Sequence, residues 1–577
     1  MTSTESPTTT PTEATSQSLR ISSWGTVIAI GVTLVLLVIP LRVFQLQHAP
    51  SDQLLASIVK SKSSHHPLVR RGDLLDQRGR LLATTALGWR AFADPQEAND
   101  PILLGTRLQD AIGIPAIETD RELSGKLHRR YVPVSDILED WQVQRLRTSP
   151  IRGIGLEPRL IRLYPQALNA ASLIGTVGFE HTGLAGAEHS MNAQLVPTPG
   201  HFETIRDAGR RTMWIPPDGF DAGEDGRSIR LSIDLAIQRF AELRLHEAVQ
   251  EYGAGGGRIV VMDCQTGELL AVADIEREPT GTQPRLRRNR CVTDPYEPGS
   301  TFKPFVWAAA TEAGLATPDE TLPTPSNGPH RTSFGRSIRD AHYHGPTTWR
   351  MVLIKSLNSG MAIVAERMKR DDLRSLVAQL GFGQSTKCGI PGETGGIVTS
   401  ERNWSGYTQT SVAMGHEIAV TPVQMAQAFC VFARDGQMPA ATLHARNGPR
   451  PIVPTYVFTP EIAAITRNNM QRVMTEGTGQ RAQSDHYTMF GKSGTAQLPK
   501  ANGGGYYEDR YISSFIAGAP VESPRIVVLC VIDDPDRSLG KWYGGSTAGP
   551  VVRDVVDSVL PYLGVAGDRQ DVMQVSR

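Results

Sequence analysis

The chain has 577 residues, with Lys+Arg and Asp+Glu equal at 59 each. That balance leaves no net charge to draw it onto nucleic acid or anionic lipid, and no basic stripe marks a groove binder. Apolar residues make up 40% and charged residues 20%, enough to bury a core, and at roughly 150 residues per domain about four domains are allowed. Cys264, Cys291, Cys388, Cys430 and Cys530 are odd in number, widely spaced and without a CxxC pair. They read as buried small apolar side chains rather than as a disulfide framework.

The first residues are rich in Ser, Thr and Pro, a composition that cannot bury enough apolar surface to order itself, so a disordered tail is expected over 1–23. Between Arg20 and Arg42 there is no charge, and Val27 to Ile39 is almost wholly apolar. About 20 such residues span the hydrocarbon core, which predicts a transmembrane helix over 24–44. A secretory signal peptide is the rival, but its basic start and small-residue cleavage site are missing. Arg20 lies on one side of the span and Arg42, Lys60 and Lys62 on the other. Charge counting alone therefore places the C-terminal side in the cytoplasm, a rule that binds weakly when a large domain follows.

Beyond the span, the segment from Leu68 to Ile161 has little strong periodicity, and a Gly/Asp-rich stretch at 216–228 reads as a boundary loop. Next, Ser232 or Asp234 can cap a helix carrying Ile237, Phe240, Leu243 and Val249 on one face and ending at Gly253. Residues 257–274 read as two strands about a turn at Gln265–Gly267. The apolar run in 524–535 suits a buried strand, followed by a helix from Gly549 onward. A helix, hairpin, strand and helix with buried faces predict an α/β (α+β) sandwich over 226–565.

An acyl-transfer serine needs a base, donors for the oxyanion and groups that hold the substrate. A lysine three residues after the serine lies on the same helical face and can serve as the base. Ser-x-x-Lys occurs at Ser57–Lys60, Ser300–Lys303 and Ser538–Lys541. Only Ser300 follows a Pro-Gly turn and opens a helix-like run, with Pro304 tolerable in its first turn. Ser-x-Asn occurs at Ser190–Asn192 and Ser356–Asn358, and Lys492-Ser493-Gly494 is followed by Thr495-Ala496, a strand-edge pattern. Each signal alone is weak. Their order within one predicted domain is not.

EPGSTFKPF, KSLNSG and GKSGTAQ resemble the three active-site motifs of the penicillin-binding protein and serine β-lactamase superfamily. RRGDLLDQRGRLLATT (70–85) and the stretch 162–192 are similar to the N-terminal module of class B, monofunctional transpeptidases. GFGQSTKCGIPGE, MGHEIAVTPVQMAQAF and YGGSTAGPVV resemble further segments of the catalytic domain. The resemblance implies a penicillin-binding transpeptidase domain at 226–565, an elongated mixed α+β pedestal or dimerisation-like module at 45–225, and a C-terminal tail at 566–577. It implies a peptidoglycan D,D-transpeptidase inhibited by β-lactams and needing no metal or cofactor.

In that scheme Ser300 is the nucleophile, Lys303 its base, Ser356 a proton relay and Asn358 a hydrogen-bonding partner. Lys492, Ser493, Gly494 and Thr495 form the substrate-binding strand, with Lys492 supplying positive field and Ser493 or Thr495 a hydroxyl for the terminal carboxylate, and the N–H groups of Ser300 and Thr495 form the oxyanion hole. Two departures stand: the second motif has Leu357 where Ser is commoner, and the third has Ser493 where Thr is commoner. Cross-linking of stem peptides happens outside the cytoplasmic membrane, so the catalytic part is expected on the outer side, against the charge count, and the 1–23 tail in the cytoplasm. Implied partners are a glycan polymerase of the shape, elongation, division and sporulation family and other division proteins, and residues 338–360 resemble the septal branch. A serine β-lactamase would be shorter and secreted, and a penicillin-sensing receptor would carry signalling machinery. A non-catalytic scaffold need not keep the full motif set. His416 is expected to be structural.

Overall fold

The computed structural model describes residues 12–53, 62–166, 170–206, 212–214, 220–277, 288–446, 455–500 and 504–569. Ser57 and Lys60, residues 1–11 of the expected N-terminal tail and residues 570–577 of the C-terminal one lie outside them. The chain forms two units, one of Met1–Val69 with Thr198–Glu224 and one of Arg70–Pro197 with Asp225–Arg577. The expected 45–225 module is thus divided between them.

In the first unit, helix α1 (Thr12–His48) begins inside the segment expected to be disordered and outruns the expected span at both ends. Helix propagation costs little once an apolar stretch has nucleated it. Its part from Ser23 to His48 is long and apolar enough to cross a membrane and is wholly exposed. The strands Lys62–His65, His201–Arg206, Thr212–Trp214 and Phe220–Asp221 form a small antiparallel sheet.

In the second unit, β1 (Leu74–Leu75) and the long β2 (Leu81–Ala93) pair antiparallel. Helices α2 (Leu104–Ile112) and α3 (Ala116–Leu123) precede β3 (Val132–Ile137), and α4 (Asp140–Thr148) precedes β4 (Ile154–Leu163). β2 pairs antiparallel with β3 and, along residues 84–93, with β4. The sheet closes with β5 (Ile229–Arg230) parallel to β1. This region, which showed no clear period, is therefore half-buried sheet with short helices. Behind it lies a buried ionic knot. Glu188 accepts from Arg71 Nε and from Arg162 Nε, both at 2.7 Å, with all three side chains at most 2% exposed. Asn192 Oδ1 accepts from Arg71 Nη1 at 2.8 Å and from Gly183 N at 2.9 Å, so the Ser190–Asn192 motif serves the knot.

The catalytic-type half begins with α5 (Leu235–Glu251), capped by the Asp234 carboxylate accepting from Ala236 N. Its buried face carries Ile237, Ala241, Leu245, Ala248 and Val249, whereas Phe240 and Leu243 are 38% and 57% exposed. The expected face was turned too far, because the stripe covered by the sheet follows Ala241 and Leu245. The expected hairpin forms: β6 (Gly256–Asp263) pairs antiparallel with β7 (Leu269–Glu276). Helices α6 (Lys303–Glu312), α7 (Trp349–Lys355), α8 (Asn358–Ala365), α9 (Pro422–Ala433) and α10 (Pro460–Glu476) follow. Then come β8 (Phe490–Pro499), β9 (Tyr506–Ala519), β10 (Ile526–Asp533) and α11 (Ala548–Tyr562). The sheet order is β7-β6-β10-β9-β8, antiparallel, with β8 at its edge.

One side of this sheet packs on α5 and α11 through Leu245, Val261, Val528 and Val552. The other belongs to a core that also holds Leu74, Leu82, Leu173 and Leu195. That shared core is why Arg70–Pro197 joins the sheet's unit: separating the two would expose apolar surface on both.

Glu188→Gln removes the charge that offsets two buried guanidinium groups. It is expected to lower stability by about 3–5 kcal/mol, the usual cost of breaking one partner of a buried pair, read as a fall in the thermal unfolding midpoint.

Candidate active site

Ser300 lies in a single 3-10 turn, Gly299–Phe302, that leads directly into α6. Pro304 falls in the first turn of that helix, where a missing N–H is tolerated. The helix is anchored on its far side by aromatic packing. Phe305 lies 5.3 Å from Phe432 and 5.6 Å from Phe302, and Trp307 stacks on Trp349 at 5.9 Å. Trp307 Nε1 donates to Trp349 O, which fixes α6 against α7.

The loop between α7 and α8 brings in the second motif. Ser356 ends α7 with φ 62°, a left-handed conformation that costs a non-glycine residue of order 1–3 kcal/mol. That geometry aims both its carbonyl and its hydroxyl at lysines. Lys303 Nζ donates to Ser356 O at 2.7 Å, Asn358 Oδ1 at 2.7 Å and Ser356 Oγ at 3.4 Å. Lys492 Nζ donates to Ser356 Oγ at 2.8 Å and Ser493 O at 3.1 Å. Ser356 is thus the polar bridge between the two amines.

Both lysine side chains are fully buried, and burial disfavours the charged ammonium. Lys303 is pulled down to about 7, chiefly by desolvation, with the Asp340 carboxylate acting in the opposite sense. Burial, then the neighbouring Lys303 charge, holds Lys492 well below the ordinary lysine range. The pair cannot comfortably carry two protons, so an amine free to accept one is present near neutral pH.

The third motif lies on β8, the edge strand, so one side of its backbone is left for a ligand. Thr478 and Ser493 share a hydroxyl–hydroxyl bond of 2.6 Å, and Thr495 Oγ1 accepts from Gly544 N at 3.1 Å. A side chain at Gly494 would meet Pro298 O at 2.8 Å and Ser514 Oγ at 2.5 Å. Only glycine lets the turn that carries Ser300 lie this close to the strand.

All eight sequence-predicted residues converge here: Ser300, Lys303, Ser356 and Asn358 with Lys492, Ser493, Gly494 and Thr495. The Ser538 pair does not; Ser538 N donates to Asp536 and Lys541 approaches Glu251 at 3.8 Å. Asp340, which sequence reasoning missed, accepts from Asn358 N and from Ser359 N at 3.0 Å, and its other oxygen from the Ser359 hydroxyl. It caps α8 and thereby fixes Asn358. Thr478 was also missed; both lie in polar runs that look like loops.

A family model described as the penicillin binding protein transpeptidase domain matches residues 257–557, more than half of the chain. The chain belongs to the penicillin-binding protein transpeptidase family. A second family model, the penicillin-binding protein dimerisation domain, matches residues 67–229, and with it the protein is a class B penicillin-binding protein, a peptidoglycan D,D-transpeptidase. It is 30% identical over 509 residues to "Probable peptidoglycan D,D-transpeptidase PenA" of Neisseria meningitidis, covering 86% of this chain and 85% of that protein. It is 29% identical over 508 residues to "Peptidoglycan D,D-transpeptidase FtsI" of Escherichia coli, covering 86% and 84%. The fold matches a peptidoglycan synthetase from Bifidobacterium adolescentis with TM-score 0.68 and 24% identity, covering 89% of this chain and 100% of that one. This penicillin-binding protein takes peptidoglycan stem peptides and β-lactams, and α1 fits a single-pass membrane anchor.

Asp340→Asn removes the one carboxylate that favours the Lys303 ammonium. The acid limb of β-lactam acylation is therefore expected to shift to lower pH. Initial labelling rates measured across pH 5–9 would show it.

Proposed function

We propose that this transpeptidase works through Ser300 as nucleophile and Lys303 as base. The observation that carries the reading is the burial of two lysine amines around one serine, Ser356, beside the turn that holds Ser300. Lys303 as a free amine takes the Ser300 proton as Oγ attacks the penultimate D-alanine carbonyl of the donor stem. A base with a pKa near the working pH combines the right protonation state with adequate basicity. The oxyanion then rests on the N–H groups of Ser300 and Thr495. The C–N bond breaks, the terminal D-alanine leaves as its amine, and Ser356 passes it a proton drawn from the lysine pair. Ser493 and Thr495 bind the terminal carboxylate in the field of Lys492, and Gly494 lets that strand approach the nucleophile. Asn358 holds Lys303 in place and faces the substrate amide. An amine from a neighbouring stem peptide attacks the acyl-enzyme and releases Ser300, closing the cross-link.

Residues 226–565 carry this chemistry, and residues 45–225 act as a non-catalytic pedestal behind the anchor. Because the substrate lies outside the cytoplasmic membrane, the catalytic part faces outward and the 1–23 tail inward. The role is septal cell-wall synthesis, with a glycan polymerase of the shape, elongation, division and sporulation family and other division proteins as partners. The likeness to proteins named FtsI and PenA supports a division role.

Incubation with a fluorescent penicillin followed by mass spectrometry should find a stable adduct on Ser300, absent in Ser300→Ala. Lys303→Ala should slow labelling by about 10²–10⁴-fold, the usual weight of a general base. Rapid turnover of the drug would identify a β-lactamase instead, and a folded protein without adduct would leave a scaffold. The wild-type labelling rate should fall as pH drops through about 7, because protonation removes the base amine.

A further inference from the structure

Three residues before Ser300, the Glu297 carboxylate sits where three chain segments meet. Oε2 accepts from His416 Nδ1 at 2.9 Å. Oε1 accepts from Glu417 N at 3.0 Å and from the Tyr506 hydroxyl at 2.8 Å. The side chain is 13% exposed. An ionised carboxylate only accepts, with about four lone-pair directions, so three of them are already engaged and little capacity is left for proton transfer.

The three donors come from the segments that flank the nucleophile. His416 and Glu417 lie between the helix Gly406–Ala413 and α9. Tyr506 opens β9 and stands opposite Pro499 at the end of β8, the strand that carries Lys492–Thr495. Backbone contacts already join the Ser300 turn to the first of these segments. Tyr296 and Val420 exchange two hydrogen bonds of 2.9 Å, and Gly299 N donates to Gly415 O at 2.9 Å. A side chain at Gly415 would meet Gly299 O at 2.0 Å. Glu417 has φ 56°, a strained conformation for a non-glycine residue, and in it its N–H reaches Glu297. Glu297 adds the β8–β9 hairpin to this clamp.

We propose that Glu297 is a positioning residue for acylation. By tying the 415–420 loop and the β8–β9 hairpin to one turn, its carboxylate sets the placement of Ser300 relative to the strand on which the substrate lies. The inference rests on the reading of Ser300 as nucleophile and Lys492–Thr495 as substrate strand. Glu297 touches none of the reacting groups. Its effect belongs to the alignment of attack, not to the grip on the substrate, since Ser493, Thr495 and Lys492 are held by other partners.

The test uses the full chain in detergent and a fluorescent penicillin. Time courses over a range of drug concentrations separate the initial dissociation constant from the limiting acylation rate, and mass spectrometry maps the adduct. Glu297→Gln keeps the size but turns an N–H toward groups that already donate. It should lower the limiting rate roughly ten- to hundredfold, the scale of a misplacement near 1 Å, with the dissociation constant unchanged and the adduct still on Ser300. Tyr506→Phe, which breaks only the hairpin bond, should lower the same rate less. A wild-type limiting rate in Glu297→Gln, or a loss confined to the dissociation constant, overturns the inference. If Glu297→Gln does not fold, an unchanged rate in Tyr506→Phe overturns it. A wild-type adduct on a residue other than Ser300 overturns the underlying nucleophile assignment, and is seen before any variant is compared.

Discussion

Two lysine amines buried within reach of one serine hydroxyl are the constraint around which this structure is arranged. Among the described residues neither amine has a carboxylate in direct contact; Lys303 is held by a backbone carbonyl, a side-chain amide oxygen and a hydroxyl, and Lys492 by a hydroxyl and a carbonyl. A buried ammonium paired with a carboxylate would stay charged and inert as a base. A buried ammonium given only neutral acceptors loses solvation without full compensation, so its pKa falls. That cost is sustained by the surrounding core, where α6, α7, α9 and β8 meet through edge-to-face and stacked aromatic rings.

Holding three motifs together also requires backbones to come unusually close. The turn before Ser300 lies between the 415–420 loop and strand β8, and glycines at 415 and 494 occupy the points where a side chain would collide. Ser356 adds a left-handed residue in the middle of the polar network. Local strain of this kind persists only when neighbouring structure over-determines it. Here the Asp340 cap on α8 and the packed face of α7 supply that support.

The same logic explains how the N-terminal module is attached. The Arg71–Glu188–Arg162 knot is buried, with each carboxylate oxygen of Glu188 paired to one guanidinium, and Leu74, Leu82 and Leu195 enter the core that lies behind the sheet. This part of the module and the catalytic half are therefore one body in packing, although distinct family models describe them. The remaining strands, with the anchor helix, form a separate unit.

Much of this was legible beforehand. The order of SxxK, SxN and KSG motifs singled out the eight residues that the fold brings together, because reacting groups must be of particular types at short, helix- or strand-compatible spacings. The β6–β7 hairpin, the buried β10 strand, the Asp234 cap and the terminal helix also follow from local periodicity and capping. Other features did not. The exposed Phe240 and Leu243 show that a periodic stripe leaves the facing direction open until a sheet covers it. Asp340 and Thr478 sit in polar runs indistinguishable from loops, and Glu297 sits in a turn whose partners the motif does not name; their importance comes from partners 15 to 209 residues apart in the chain, met only where the fold joins them. The sequence by itself determined which chemistry the chain carries, because that depends on side-chain types and near-neighbour spacing. Only the tertiary structure decided that both amines are pushed toward their neutral forms and how the turn carrying Ser300 is tied to its neighbours, because desolvation and long-range hydrogen bonds exist only once distant segments are packed together.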